Sequence, residues 1–236
     1  MPSTEPEVLL IDAGNTRVKG AFYSRGRIVP IFSLKTEEVL RRGELPHLNF
    51  PNAAAASVVP QVTEIIKRTY PGALIISSRL KLPFKVSYRG ELGADRIANI
   101  AGGLKYSNSF IVVSCGTATV IDIVKEREFV GGYILPGVET MAKELYKRGA
   151  LLPEVKLEEL SLKPGNSTEE CIKAGISVAT AGAIESVKKH YPFPLLITGG
   201  LGGKVAEVIG GNFLKWLTFE GILEVWKTER GESTPR

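Results

Sequence analysis

The sequence has only two cysteines among its 236 residues, Cys115 and Cys171, and no C-x-x-C spacing, which excludes a disulfide framework and gives no sign of a structural zinc site. Both are expected to be reduced and buried. Histidine is equally scarce: His47 stands beside Pro46 in a loop, and His190 closes a lysine-rich helix end where the helix dipole accounts for it. No Ser-His-Asp hydrolase site can be assembled from these. Apolar runs fall short of the ~18 residues that a membrane-spanning helix needs, and Met1 to Glu7 has neither the basic start nor the apolar stretch of a secretory signal. A cytoplasmic protein without a membrane partner is expected. Lysine and arginine are scattered rather than gathered into runs, so the net charge of +5 leaves no nucleic-acid footprint. A Walker loop and a chain-leading Rossmann fingerprint are missing too.

What the chain does have is 44% hydrophobic residues, charges of both signs and 25 glycines, a globular composition with room for one or two domains. Val8 to Ile11 is a short apolar run ending at Asp12; Gly14-Asn15 forms a turn, and Arg17 to Tyr23 alternates in character. The same order of strand, loop and strand returns at Phe110 to Val124. Asp12 then aligns with Ser114 and Gly14 with Gly116, an internal repeat. Spacing predicts helices at Thr36 to Arg42, Val62 to Thr69 and Asp95 to Leu104, with strands near Asn52 to Val59 and Ala73 to Ser77. Further on it predicts helices at Met141 to Arg148 and Thr168 to Lys189 and a strand at Pro194 to Thr198. The expectation is an α/β protein of two lobes, residues 1–105 and 106–236, with Glu229 to Arg236 frayed. Trp216 and Trp226 read as core or interface packing.

The loop after Asp12 has chemistry suited to a polyphosphate. Glycine allows close backbone approach, the amides and hydroxyl of Gly14, Asn15 and Thr16 can donate, and a strand-end carboxylate can hold magnesium through water. Alone, the same residues would also make an ordinary hairpin. The second copy, where Thr117 and Thr119 offer hydroxyls, favours a pair of phosphate loops. Thr198-Gly199-Gly200-Leu201-Gly202-Gly203 reads either as the place where a nucleoside lies against bare backbone or as a flexible turn into a helix. Asp95, in Gly93-Ala94-Asp95-Arg96, could simply cap the helix that follows it.

Taken in order, Asp12 to Thr16, Tyr88 to Arg96, Gly116 to Asp122, Gly131 to Gly137 and Thr198 to Gly200 resemble the type III pantothenate kinase family. The resemblance runs over roughly residues 8 to 226 and closes on Leu217 to Ile222. It implies two related ribonuclease H-like (actin-like ATPase) lobes with a nucleotide cleft between them, phosphorylation of pantothenate by ATP, and a homodimer. It also implies magnesium and a monovalent cation, potassium or ammonium. Carried over by position, it implies that Asp12, Ala13, Gly14, Asn15, Thr16, Arg17, Val18, Lys19 and Thr117 bind ATP, Asp12 also holding magnesium through water. Tyr88, Gly93, Ala94, Asp95, Arg96 and Thr168 would bind pantothenate. Asp95 would be the proton acceptor, since a primary hydroxyl needs a positioned carboxylate to take its proton as the phosphoryl group arrives. Arg96 can pair with the substrate carboxylate or with developing phosphate charge.

One departure bears on the cation. Where the family carries an aspartate ligand for potassium or ammonium, this chain has Ser114, a neutral oxygen, so weak or absent cation dependence is expected. Asp122 matches an acid of the family but is equally a solvated or capping residue, and it is left out of catalysis. Other readings are a sugar kinase of the same superfamily, a non-catalytic regulator on the same fold, and an actin-like assembly protein, for which the chain is short. Retention of Asp95 argues against the regulator.

Overall fold

The computed structural model describes residues 7–157 and 159–232, which divide into two compact units. The first begins with β1 (Val8–Ala13), β2 (Arg17–Ser24) and β3 (Arg27–Lys35), then α1 (Thr36–Arg42), β4 (Ala53–Ser57) and α2 (Pro60–Thr69). It continues through β5 (Leu74–Ile75), β6 (Lys85–Val86) and α3 (Ala94–Gly103). The second unit, Ser107–Lys215, contains β7 (Phe110–Cys115), β8 (Ala118–Lys125), β9 (Glu128–Pro136), α4 (Val138–Arg148), α5 (Thr168–His190), β10 (Leu195–Thr198), α6 (Gly202–Ile209) and β11 (Asn212–Phe213). The chain then returns to the first unit as α7 (Leu217–Glu229).

The repeat expected from sequence is one of topology. Strands of the first unit run in the order β3-β2-β1-β4-β5, with β2 antiparallel to β1 and β3, and β4 parallel to β1 and β5. Those of the second run β9-β8-β7-β10-β11 with the same directions. The opening strand of each repeat lies in the middle of its sheet, which is why Leu9, Leu10 and Ile11, like Ile111, Val112 and Val113, are apolar on both faces and buried. Leu9, Ile11, Val18, Val39, Val62 and Ile66 make one core, and Ile111, Val113, Ile121, Ile123, Ile184 and Ile197 make another.

α1 matches its expected bounds because its signals agree: Glu37 and Glu38 in the first turn, Arg41 and Arg42 in the last, and Gly43 left-handed at φ 68°. β3 and β9 were not among the expected strands. β3 is an edge strand, largely exposed and carrying Pro30, so it lacks the alternation that marks a half-buried strand. The expected boundary is corrected at its far end: the described residues from Trp216 onward group with the first unit rather than the second, because α7 packs on α3, β1 and β4. α7 runs through Glu229, where fraying was expected, and residues 233–236 of that stretch lie outside the described residues.

Cysteine burial needs a correction as well. Cys115 is buried, and burial pushes its thiol up to about 12. Cys171 is exposed in the first turn of α5, its thiol donating to the Gly165 carbonyl at 3.3 Å. Among the described residues no helix is long and apolar enough to cross a membrane.

Candidate active site

Asp12 sits one residue before the end of β1, opposite Lys19 on β2, and its carboxylate lies 3.7 Å from the Lys19 ammonium. Its side chain is 19% exposed. Burial raises its pKa above the ordinary carboxylate range; Lys19 opposes that rise, and the charge of Asp95 adds to it. The Asp95 carboxylate is thus close enough to Asp12 for the two charges to interact within the first unit.

Of the residues expected to contact ATP, Ala13 and Val18 have their side chains in the core at 1% and 0% exposure. Gly14, Asn15, Thr16 and Arg17 form the turn itself, where the Gly14 N–H donates to the Arg17 carbonyl at 3.0 Å. Arg17 is anchored sideways, its Nε donating to Ser33 Oγ at 2.7 Å and its Nη2 to the Ser33 carbonyl at 2.8 Å. The turn is also held from below by Thr36, the first residue of α1. The Thr36 hydroxyl donates to the Gly14 carbonyl at 2.7 Å, and its N–H donates to the Thr16 carbonyl at 3.0 Å.

Asp95 is not the helix cap that its sequence position allowed. Gly93 is the N-cap of α3, and Asp95 stands in the first turn, half-buried, with Oδ1 accepting from the Arg96 N–H at 2.9 Å. A side chain on Gly93 would put its Cβ 2.8 Å from Asp95 Oδ1, so the glycine leaves this carboxylate its room. Arg96 is 7% exposed, and its guanidinium carbon lies 5.4 Å from the centre of the Tyr88 ring, itself exposed on its outer side. Tyr88, Gly93, Asp95 and Arg96 are therefore neighbours.

In the second unit Ser114 and Cys115 close β7, and Gly116 and Thr117 are exposed in the loop. Ser114 is half-buried, paired with Val120 on β8 and Thr198 on β10. Thr119 is 2% exposed, and its hydroxyl has no hydrogen-bond partner. The Thr198-Gly199-Gly200 turn lies against the end of β7: Gly199 adopts φ 93°, and the Leu201 N–H donates to the Cys115 carbonyl at 3.3 Å. Thr168 is the exposed first residue of α5, after the cap in which Ser167 Oγ accepts from the Glu170 N–H at 3.2 Å. A cavity of about 860 Å³ lies beside this helix start, lined by Lys156, Lys163, Lys173, Glu169 and others, and none of its lining residues belongs to the loops after Asp12 and Ser114. Sequence reasoning missed Thr36 and Thr140, since a threonine in the first turn of a helix reads as ordinary capping chemistry.

A family model for type III pantothenate kinases matches residues 8–190. A type III pantothenate kinase of Thermosipho melanesiensis is 32% identical, the match covering 81% of this chain and 86% of that protein. One from Fervidobacterium nodosum is 26% identical over 96% of this chain and 99% of that protein. Among solved structures, a Baf-family protein of Campylobacter jejuni superposes with a TM-score of 0.69 at 23% identity, covering 94% of this chain and 99% of its own. The ethanolamine utilization protein EutJ of Carboxydothermus hydrogenoformans gives 0.53 at 14% identity, covering 95% and 92%. At such identities these two structures speak for the fold alone.

Proposed function

The chain belongs to the type III pantothenate kinase family, and on that premise we propose that it transfers the γ-phosphoryl group of ATP to the primary hydroxyl of pantothenate. The product is 4'-phosphopantothenate, and the reaction opens coenzyme A biosynthesis. The observation that carries the reading is the segment from Tyr88 to Arg96: Asp95 stands half-buried in the first turn of α3 beside Arg96, and Arg96 is laid over Tyr88. In the reaction the pantothenate hydroxyl oxygen bonds to the γ-phosphorus, the bond to the β,γ-bridging oxygen breaks, ADP leaves, and the hydroxyl proton passes to Asp95. Arg96 pairs with the pantothenate carboxylate. Gly14, Asn15 and Thr16 donate to the phosphates.

The residues at Asp12 fit magnesium, for a mostly buried carboxylate at a strand end is stabilised by a cation held through water. Bound with ATP, magnesium neutralises phosphate charge. A coupled ATP-consumption assay with pantothenate, glucose and N-acetylglucosamine tests the function. Turnover is expected with pantothenate alone; turnover with a sugar instead would overturn the assignment.

Ser114 does not fit the monovalent cation that the family resemblance implies, because its hydroxyl carries no charge to offset the desolvation of potassium or ammonium. Replacing potassium by sodium at fixed ionic strength is expected to change the rate by less than about twofold. A strong rise with potassium or ammonium in steady-state kinetics would count against this.

We also propose a homodimer joined through α5. From Cys171 to Ser186 the exposed residues of this helix are Cys171, Gly175, Val178, Ala179, Gly182 and Ser186, a solvent-facing stripe without a charge. A second copy is the natural cover for such a face. Ala179→Glu is expected to yield single-chain mass in light scattering where the unaltered protein gives twice that mass; an unchanged mass would remove α5 from the interface.

A further inference from the structure

We propose that Thr36 and Thr140 are a matched pair of positioning residues that hold the two phosphate loops in their nucleotide-binding conformation. In the first unit β3 runs straight into α1, whose first residue reaches back across 22 positions: the Thr36 hydroxyl donates to the Gly14 carbonyl at 2.7 Å. Its N–H donates to the Thr16 carbonyl at 3.0 Å, and the residue is 3% exposed. In the second unit β9 runs into α4 through Gly137. There the Gly137 N–H donates to the Thr117 carbonyl at 2.9 Å, and the Thr140 hydroxyl donates to the same oxygen at 2.7 Å, reaching across 23 positions. Each loop is closed in the same way as well, the Gly14 N–H donating to the Arg17 carbonyl and the Gly116 N–H to the Ala118 carbonyl, both at 3.0 Å.

In both units, then, the helix after the third strand grips the loop by one backbone amide and one threonine hydroxyl, and every bond has a loop carbonyl as acceptor. The amides at a helix start have no partner within their own helix, so they are available for this use. A peptide plane has its carbonyl and N–H on opposite sides. Fixing the carbonyls of Gly14, Thr16 and Thr117 toward the helices keeps their partial negative charge away from an incoming polyphosphate and commits the opposite side to donation. Neither threonine need touch the nucleotide; each acts through its loop.

The inference rests on the reading of these loops as the ATP site, so its test separates the two. Calorimetric titration with magnesium AMP-PNP is run on the unaltered chain and on Thr36→Val, Thr140→Val, Thr36→Ser and Thr140→Ser, beside KM for ATP, KM for pantothenate and the thermal midpoint. Each valine variant is expected to weaken nucleotide binding and raise KM for ATP by about 5- to 20-fold, with KM for pantothenate within about twofold, and each serine variant to stay within about twofold of the unaltered chain. Valine variants that lose thermal stability but bind nucleotide as before have lost only a structural contact, and the inference falls. Serine variants as weak as valine variants overturn it as well. If the unaltered chain binds nucleotide but does not phosphorylate pantothenate, the functional reading fails, while the titrations still decide the role of the threonines. If it binds no nucleotide, both are wrong.

Discussion

Replacing Asp95 by alanine is expected to lower pantothenate-dependent turnover by at least about 100-fold while leaving the dissociation constant for magnesium AMP-PNP within about twofold. The two halves of this result have separate causes. In the proposed reaction the turnover loss follows from removing the carboxylate that would receive the hydroxyl proton, a step for which the half-buried Asp95 is suited by its place in the first turn of α3 next to Arg96. The retained affinity follows from Asp12, whose pKa is raised by burial and further by the charge of Asp95. Without Asp95, Asp12 ionises more readily, and nothing that grips the phosphates is lost. Asp95→Asn, which keeps shape and hydrogen bonding but cannot take the proton, is expected to behave like alanine. Full turnover in either variant would exclude Asp95 as the base, and joint loss of turnover and nucleotide binding would place it in the nucleotide site instead.

The second large effect is on stability. α7 crosses α3 so closely that a Cβ on Gly221 would fall inside the van der Waals envelope of the Ala98 carbonyl, and one on Gly102 would sit 2.5 Å from the Leu217 carbonyl. Backbone atoms of a packed helix cannot step aside as a side-chain tip can. The Thr218 hydroxyl donates to Asn99 Oδ1 at 2.8 Å across the same contact, and Lys105 pairs with Glu220 at 2.7 Å, so separating the helices breaks polar contacts too. Gly221→Val is expected to cost about 3 kcal/mol or more, lowering the thermal midpoint by roughly 6–12 °C for a chain of this size. Thermal denaturation followed by circular dichroism checks it, and an unchanged midpoint would mean that the helices do not meet as described.

Sequence made the opening strands and their loops legible because buried apolar runs ending in Asp12-Ala13-Gly14 and Ser114-Cys115-Gly116 repeat with matched residue types. Helix α1 was legible from its charges and Gly43. α7 was not read as a helix. It buries Leu217, Phe219, Ile222, Leu223, Val225 and Trp226, which leaves little of the polar face that periodicity depends on. The Tyr88 to Arg96 segment is visible in the sequence as a motif, whereas the stacking of Arg96 over Tyr88 needed the fold. Nothing in composition distinguished Thr36 or Thr140 from any other threonine near a helix start; their meaning lies in which carbonyls they reach.

The return of α7 to the first unit has a consequence for how the protein is made. The second unit is an insertion within the first, so it can fold from a continuous stretch of nascent chain, while the first must wait, with the face of α3 around Ala98 and Gly102 uncovered, until α7 has been synthesised. The helix that begins with Ala94, Asp95 and Arg96 is thus among the last parts to be fastened. A growing chain would complete the Ser114 to Thr117 loop before α3 is covered by α7.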